Sequence, residues 1–256
     1  MIDASYHHKV IDISSVKQAC SSCSLQQLCL PLGISGEDLQ RLDALIKRHR
    51  PLARSHHVFH LGDDFRALYA IRCGSVKTYT ITEDGSEQIT GFHLPGEIIG
   101  LDAINSNRHP CGAKALETTS VCDIPFNRLE ELALLIPGLS RQLLRIMSRE
   151  IQAEEELLTL LGKKSAEERL ASLLLSLSKR LQQRGFSPWE FRLSMSRNDI
   201  GNYLGLAVET VSRLFTRFQQ QGLIGVQNKY IRLQNRAQLE EIAGLANADK
   251  TQLGSA

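Results

Sequence analysis

The hydrophobic periodicity of this chain changes once, near Pro137, and this change constrains the fold more than any other feature of the sequence. Before it, between Leu52 and Phe126, short runs of strand-forming residues are separated by glycine-containing turns such as Asp84-Gly85. Strands spaced about ten residues apart, with Asp-Gly at a hairpin turn, are typical of an antiparallel roll or barrel. The predicted strands include Ala67–Arg72, Ser75–Thr82, Glu87–His93 and Ser120–Pro125. The pattern does not fit the alternating βαβ units of a nucleotide-binding fold.

Helical periodicity is expected on both sides of this β-rich part. A short helix is predicted over Glu37–Arg48, and after Pro137 apolar residues advance by threes and fours for about twenty-five residues, as a coiled-coil seam requires. The seam residues are Leu144, Met147, Ile151, Leu158 and Leu161. Glu154 occupies a seam position where an apolar side chain is expected. In a parallel pair Glu154 would face its own copy, so the pattern predicts a dimerisation helix with a weak interface. The alternative is a helix packed on its own β-domain, with Glu154 at the edge.

The C-terminal part of the chain has the order helix, helix, helix, hairpin. A helix is predicted over about Ser165–Arg184. Ser196-Arg197-Asn198-Asp199 has the Ser-x-x-acid form of a capping box and predicts the start of a second helix. Gly205 allows a tight turn before a third helix, about Val208–Gln221, and Leu223–Leu233 contains two brief strands around a polar turn. This is the order of a winged helix-turn-helix.

The third helix has one apolar face, which leaves the first turns of its other face free to enter a DNA groove. Base edges would be read by Glu209, Ser212 and Arg213, since arginine can contact guanine through two bonds, glutamate can accept from cytosine, and serine can reach a neighbouring base. Phosphate contacts, which fix register, are assigned to Arg197, Asn202, Thr210 and Arg217. Taken alone, the pattern also fits an ordinary amphipathic helix pair in an all-α core.

The net charge of +2 over 256 residues hides a strong segregation. Residues 1–162 hold 16 Lys and Arg against 20 Asp and Glu, residues 163–233 hold 12 against 5, and residues 234–256 hold 2 against 3. A basic module behind an acidic one is the usual electrostatic footprint of a domain that binds a polyanion, and the expected partner is double-stranded DNA. No apolar stretch approaches the roughly 18 residues that a membrane span needs, and the polar opening Met1–Ser5 is no signal peptide. We therefore expect a cytoplasmic protein without membrane contact.

Three of the six cysteines fall within ten residues and form a C-x2-C-x5-C group. They are Cys20, Cys23 and Cys29. Because cytosolic thiols are normally reduced, such a group indicates a metal before a disulfide. A tetrahedral or cubane site needs a fourth ligand, for which Cys73, Cys111 and Cys122 are the candidates. Spacing alone leaves zinc and iron–sulfur equally open, with buried inert thiols as a third reading.

Several long motifs carry a resemblance to a known family. They are Cys20–Cys29, Gln88–Leu94, Ala115–Cys122, Phe191–Arg197 and Gly201–Arg213. In this order they resemble the fumarate-and-nitrate-reduction regulators (FNR) of the CRP/FNR superfamily, and in particular the pseudomonad anaerobic regulators. The resemblance extends from about Cys20 to Leu239, and the number of ordered motifs makes it specific.

The resemblance implies an α+β fold with an N-terminal β-roll of the cyclic-nucleotide-binding-domain type, a long dimerisation helix and a C-terminal winged helix-turn-helix. The expected boundaries are a tail and cluster-binding segment at 1–36, the roll at 37–136, the dimerisation helix at 137–162, the DNA-binding domain at 163–236, and a C-terminal helix and tail at 237–256.

The resemblance also implies a homodimeric transcription regulator, mainly an activator, that senses oxygen through one [4Fe-4S] cluster per subunit. By position in the motifs, the cluster ligands would be Cys20, Cys23, Cys29 and Cys122. Cys73 and Cys111 would be incidental thiols. Loss of the cluster in oxygen would shift dimer towards monomer and release the DNA.

The same resemblance implies how DNA and polymerase are engaged. Glu209, Ser212 and Arg213 match the base-reading triplet of the family, which implies inverted repeats of a TTGAT-type half-site. Family members activate transcription by contacting RNA polymerase through surface loops. Thr82–Ser86 and Arg184–Trp189 are the candidate contacts here.

Three other functions compete with this one. A cyclic-nucleotide activator is the natural rival in the superfamily, because Gly96-Glu97 resembles the start of its phosphate-binding stretch. Pro110 removes a backbone donor where that phosphate would bind, so no cyclic nucleotide is expected, although Arg108 supplies a cation in the same region. No nucleophile elbow or P-loop is present, so an enzyme is not expected. A zinc-stabilised DNA-binding protein is the stronger alternative.

Overall fold

The computed structural model describes residues 19–245 and confirms the combination of a β-roll, a long helix and a winged helix-turn-helix. The strands of the roll are β1 (Lys47–Arg48), β2 (His57–Phe59), β3 (Ala67–Cys73), β4 (Val76–Ile81), β5 (Glu87–His93), β6 (Ile98–Ile99), β7 (Gly112–Ala115) and β8 (Ser120–Pro125). They form two four-stranded sheets with the orders β1-β8-β3-β6 and β2-β7-β4-β5. The pairings are antiparallel, as a roll requires.

The turns decide where the strands of the roll end. Strands β5 and β8 have the predicted bounds, β3 is one residue longer than predicted, and β4 ends at Ile81. Thr82 leaves the ladder because both its backbone N–H and its hydroxyl donate to the carbonyl of Ser86 across the turn. Gly74 joins β3 to β4 at a φ of +82°, and a Cβ there would lie 2.5 Å from the carbonyl oxygen of Thr118. Only glycine fits this turn.

Helix α1 spans Gly36–Leu45 and ends earlier than predicted. The sequence predicts helix over Glu37–Arg48, but its last two residues form β1 and pair with Asp123 and Cys122 of β8. Hydrogen bonding to β8 replaces the last helical turn, so tertiary pairing overrides local periodicity here. The correction matters for the site, because it brings Arg48 directly beside Cys122.

Two helices follow the roll, α2 (Phe126–Leu135) and α3 (Pro137–Lys163). Sequence analysis does not predict α2. On α3 the buried side chains are Leu139, Gln142 and Ile146, and the two apolar ones share a core with residues of α1, α2 and the cysteine-bearing segment. The N-terminal half of α3 therefore packs on its own domain, as the alternative to a dimerisation helix predicts. The predicted seam of α3 lies on a different face.

The winged helix-turn-helix consists of three helices, a three-stranded sheet and a final helix. The helices are α4 (Ala166–Gln182), α5 (Arg197–Leu204), α6 (Val208–Gln220) and α7 (Arg236–Ile242), and the strands are β9 (Glu190–Arg192), β10 (Ile224–Gln227) and β11 (Tyr230–Leu233). The sheet order is β10-β11-β9. Helix α7 packs on α4 and buries Leu239 in the same core as Leu170. Within residues 19–245, no helix is both long and apolar enough to cross a bilayer.

Candidate DNA interface and metal centre

The helix-turn-helix is formed by two local devices, both written in the sequence. The hydroxyl of Ser196 accepts from the backbone N–H of Asp199 at 3.0 Å, and the Asp199 carboxylate accepts from the N–H of Ser196 at 2.9 Å, which completes the predicted capping box. Gly205 ends α5 in a left-handed conformation, with φ at +64°. A Cβ at Gly201 would lie 2.6 Å from the carbonyl oxygen of Leu206, so the tight approach of turn and helix needs glycine there as well.

Helix α6 presents the predicted base-reading residues to solvent. Its buried side chains are Val211, Leu214, Phe215 and Phe218, which pack into the domain core. Glu209, Ser212 and Arg213 are exposed on the opposite face, within its first two turns. The hydroxyl of Ser212 donates to the Val208 carbonyl at 2.9 Å, a bond that it would exchange to reach a base. The surface has the geometry of a recognition helix, and the individual base contacts stay predictions.

The four residues assigned to phosphates differ in their surroundings. Thr210 is half-buried, and Arg217 is exposed and paired with Glu167. The guanidinium of Arg197 lies 3.1 Å from the ring centroid of Phe215, and burial lowers the pKa of Arg197 to about 10. It therefore remains cationic at neutral pH.

Asn202 is bound to the roll. Its side-chain amide donates to the carbonyl of Glu87 at 2.6 Å and accepts from the N–H of Ile89 at 2.5 Å. The backbone carbonyl of Asn202 also accepts from the side chain of Gln88 at 3.0 Å. A phosphate contact by Asn202 requires that it leave β5.

This link is part of a larger contact between the two domains, which sequence analysis missed. The carboxylate of Glu97 accepts from Arg180 of α4 and from Arg184 just after α4, each at 2.5 Å. Lys77 of β4 donates to Glu87 at 2.8 Å and to Asp199 of α5 at 3.0 Å. The apolar core is continuous as well, since Ile89, Phe92 and Leu94 of the roll belong to the same cluster as Leu170 and Leu204. Helical and strand periodicity identify each domain separately and carry no signal for their docking.

The second candidate site is a pocket between the N-terminal segment and the roll. Four cysteines line it, and they are Cys20, Cys23, Cys29 and Cys122. The remaining wall is largely apolar, with Leu30, Ile46 and Ile124 among its residues. Cys20 lies on a 3₁₀ turn, Cys20–Ser22, and Cys122 lies in the centre of β8. Residues 102 positions apart in sequence thus meet at one site.

The other two cysteines lie outside this pocket. Cys73 ends β3, and the thiol of Cys111 donates to the carboxylate of Asp102 at 3.1 Å. Among residues 19–245, no three His, Cys, Asp or Glu side chains are grouped so as to hold a single metal ion.

Burial controls the protonation of the pocket thiols. It raises the pKa of Cys20 to about 12, with Asp43 as the next cause, and it raises the pKa of Cys29 to about 12. The pKa of Cys122 is also raised, mainly by burial. These thiols are protonated at neutral pH, so a metal centre that bound them would release protons and compensate the buried negative charge.

A polar contact joins the pocket to α3. The side chain of Gln142, 1% exposed, donates to the carbonyl of Cys29 at 3.3 Å. Around this bond Leu30 and Ile34 pack in the same core as Leu139 and Ile146. Gln142 was missed by sequence analysis, although a polar residue on the apolar stripe of a helix is a signal that could have marked it.

The predicted seam of α3 is open to solvent in the single chain. Leu144, Met147, Ile151 and Leu158 are exposed by 67%, 38%, 57% and 72% of their surface. Glu154 is exposed between them, and Leu161 is half-buried beside the helix-turn-helix. An apolar stripe of this length on a long helix is the surface that a second helix covers in a coiled coil.

Comparison with known proteins identifies both domains. The Crp-like helix-turn-helix domain matches residues 168–242, and the cyclic nucleotide-binding domain matches residues 49–134. Fold and site together define a winged helix-turn-helix regulator of transcription with a sensor domain of the cyclic-nucleotide-binding type.

Relatives with printed functions narrow this class. The chain is 55% identical to the transcriptional activator protein Anr of Pseudomonas protegens over 88% of its own length and 92% of that protein. It is 52% identical to the fumarate and nitrate reduction regulatory protein of Escherichia coli K12 over 88% of its length and 90% of that protein. The chain belongs to the FNR family, and it is a DNA-binding transcription regulator of this type.

A solved structure has a similar fold. FixK2 from Bradyrhizobium japonicum is 32% identical and superposes with a TM-score of 0.71, covering 77% of this chain and 96% of FixK2.

Proposed function

We propose that this protein is an oxygen-responsive, cytoplasmic transcription regulator, mainly an activator of anaerobic metabolism genes. In this proposal it binds inverted TTGAT-type half-sites as a homodimer while one [4Fe-4S] cluster per subunit is intact. The observation that carries the proposal is the meeting of four cysteines, three from the N-terminal segment and Cys122 from β8, in one pocket.

The residues present fit a cluster of this kind. Four thiols in a largely apolar pocket are the donor set that a cubane needs, one thiolate per iron. Arg48, whose backbone pairs with Cys122 in the ladder, has a buried Nε without a hydrogen-bond partner among the described residues. Cys20, Cys23, Cys29 and Cys122 would hold the cluster, which would supply an oxygen-labile link between the N-terminal segment and β8.

The packing of α3 supports a route from the pocket to the dimer. Cys29 and its neighbour Leu30 contact the buried face of α3 through Gln142 and Leu139. The seam lies on another face of the same rigid helix. Release of the cysteine segment would therefore alter the position of α3, and with it the match between two seams.

The position of Glu154 supports a weak dimer. A small structural change can then shift the equilibrium between monomer and dimer. In a parallel pair two Glu154 carboxylates would face each other in the middle of an apolar seam. We propose that cluster binding stabilises the dimer in part by offsetting this repulsion.

The dimer would present two α6 helices to two half-sites. Helix-turn-helix dimers bind half-sites about 34 Å apart, one turn of DNA. The exposed triplet of Glu209, Ser212 and Arg213 supports direct reading of bases in the major groove.

Contact with RNA polymerase is supported by exposed surface at the two candidate segments. Asp84 lies in the exposed turn at 82–86, where the hydroxyl and N–H of Ser86 bond to it. In the other segment Phe186 and Trp189 are 58% and 53% exposed, while the side chain of Arg184 is buried against Glu97. The polymerase surface would therefore begin after Arg184.

Matched cysteine variants test the site. Purified without oxygen, the wild-type protein should contain about four iron and four sulfide per chain and absorb broadly in the visible. Cys122→Ser should lose the cluster because it removes the ligand from the roll. The control Cys73→Ser should keep it, since Cys73 lies outside the pocket.

Two results would contradict the proposal. A colourless wild-type protein that contains zinc and no sulfide would show that the site holds structural zinc in place of a cluster, because zinc does not absorb in the visible. Equal iron content in the Cys122 and Cys73 variants would remove Cys122 from the ligand set.

A further inference from the structure

Arg48 connects the two ends of the cysteine pocket. Its backbone pairs with Cys122 in the ladder between β1 and β8. Its side chain extends towards the N-terminal segment, where Nη2 lies 3.7 Å from the sulfur of Cys20. One residue therefore contacts cysteines that are far apart in sequence and that together line the pocket.

Asp43, at the end of α1, holds Arg48 in this position. A single oxygen, Oδ1 of Asp43, accepts from Nη2 of Arg48 at 2.5 Å and from the backbone N–H of Cys20 at 2.8 Å. The side chains of Arg48 and Asp43 are only 22% and 27% exposed. The pair is shielded from solvent and ties together α1, β1 and the turn that carries Cys20.

The hydrogen bonding of Arg48 is incomplete. Its Nε is buried and has no hydrogen-bond partner among residues 19–245. Buried donors in native proteins nearly always have a partner, so the unpaired Nε shows that the guanidinium, whose Nη2 already lies near the sulfur of Cys20, can donate to a further acceptor.

The acceptor next to Arg48 is expected to carry a negative charge. Four thiolates and a [4Fe-4S] core together carry a net negative charge in a pocket whose wall is largely apolar. A guanidinium at the edge of such a site compensates that charge and donates to sulfur, and outer partners of this kind tune the metal centre.

We propose that Arg48, clamped by Asp43, is a positioning residue for the cluster, donating to the Cys20 thiolate and neutralising part of the cluster's negative charge. This inference rests on the proposed function. Without the guanidinium the cluster would be harder to reduce and easier to oxidise, because hydrogen bonds to sulfur and net charge set the potential of iron–sulfur centres.

The test compares three variants loaded with cluster in the absence of oxygen. Arg48→Met removes the charge at similar length, Arg48→Lys keeps the charge but loses the planar fork and Nε, and Asp43→Asn weakens the clamp. Arg41→Met is the matched control, since Arg41 is 56% exposed on α1 and pairs with Glu37 and Asp38. The readouts are iron content, the midpoint potential, and the rate of cluster loss at fixed oxygen concentration.

We expect Arg48→Met to load the cluster, to show a lower midpoint potential and to lose the cluster roughly tenfold faster than wild type. Arg48→Lys should have a midpoint potential closer to that of wild type than Arg48→Met has. It should still lose the cluster faster than wild type. The double variant of Arg48→Met and Asp43→Asn should be no worse than Arg48→Met alone, because the amide oxygen in Asp43→Asn can still accept from the N–H of Cys20, and the lost carboxylate charge acts on Arg48. Arg41→Met should match wild type.

Wild-type potential and lifetime in Arg48→Met would overturn the inference while leaving the cluster assignment intact. Absence of a cluster from the wild-type protein would instead overturn the proposed function. Thermal unfolding of the metal-free variants, followed by circular dichroism, separates a folding defect from a cluster defect. If Arg48→Met does not fold, Arg48→Lys decides, and a wild-type cluster lifetime in that variant contradicts the role of the fork.

Discussion

Glu97 places its carboxylate between the sensor and the DNA-binding domain. Sequence analysis relates it to the phosphate-binding stretch of cyclic-nucleotide activators, but in this structure its two oxygens accept from Arg180 and Arg184. Burial opposes ionisation of Glu97, and the two arginines overcome that opposition and hold its pKa below the usual range. A residue of the sensor is thereby committed to holding α4.

Glu97→Gln should destabilise the protein by about 2 kcal/mol, since it leaves two part-buried guanidinium groups without a carboxylate, and the 21% exposure of Glu97 moderates the 3–5 kcal/mol typical of a fully buried pair. The measurement is urea unfolding at pH 7. The matched control, Glu117→Gln, breaks an exposed pair with Arg192 and should cost less than about 1 kcal/mol.

The pH dependence of the unfolding free energy of the same variant tests whether the charge of Glu97 is responsible for the loss. Because the pKa of Glu97 is lowered by folding, its contribution is present above the ordinary carboxyl pKa and is lost as the pH falls through its folded value. The difference between wild type and Glu97→Gln should therefore shrink in acid. A difference that is constant down to acid pH would show that charge at Glu97 does not hold the domains together.

At the scale of elements, local signals were sufficient wherever a structure depends on neighbours in sequence. The capping box at Ser196, the strands β5 and β8, and the span of α6 follow from turn chemistry and periodicity. Helix α1 was predicted three residues too long, because pairing of β1 with β8 is decided by a strand 74 residues away. The docking of α5 on β5 through Asn202 was not predicted for the same reason.

The sequence likewise indicated only part of the candidate site. The motif Cys20–Cys29 and its family resemblance indicated a metal segment, but spacing alone left three candidates for the fourth ligand. The resemblance implied Cys122, and the fold brings Cys122 to the pocket and leaves Cys73 and Cys111 outside it. Arg48 and Asp43 carry no sequence signal, because their role depends on the meeting of α1, β1 and the Cys20 turn.

Helix α3 packs on its own domain through one face and exposes the predicted seam on another face. Glu154 lies on the exposed face. Glu154→Ala should allow dimerisation without the cluster, because it removes a like-charge pair from the seam. We expect the metal-free variant to dimerise at least about tenfold more tightly than metal-free wild type, equivalent to 1.4 kcal/mol. Sedimentation velocity over a range of concentrations measures this.

Glu156→Ala is the control for that experiment, since Glu156 is exposed on the same helix on the side away from the seam. It should leave the monomer–dimer equilibrium unchanged. A Glu154→Ala protein that remains monomeric when metal-free would show that repulsion at this position does not limit the dimer.

At the scale of the whole molecule, the parts form one connected path. The cysteine pocket contacts the buried face of α3 through Gln142, the same helix carries the exposed seam, and the roll holds the DNA-binding domain through Glu97 and Asn202. The recognition surface of α6 remains open throughout. Oligomeric state, rather than masking of the recognition helix, is therefore the quantity that the sensor would control.

One titration tests this account most directly. Protein loaded without oxygen is exposed to air for increasing times, and visible absorbance, sedimentation and binding to a duplex with inverted TTGAT half-sites are measured on the same samples at fixed salt. Dimer fraction and DNA affinity should fall together, in proportion to the loss of cluster absorbance. A protein that remains dimeric and binds this DNA with unchanged affinity after complete loss of the cluster would contradict it.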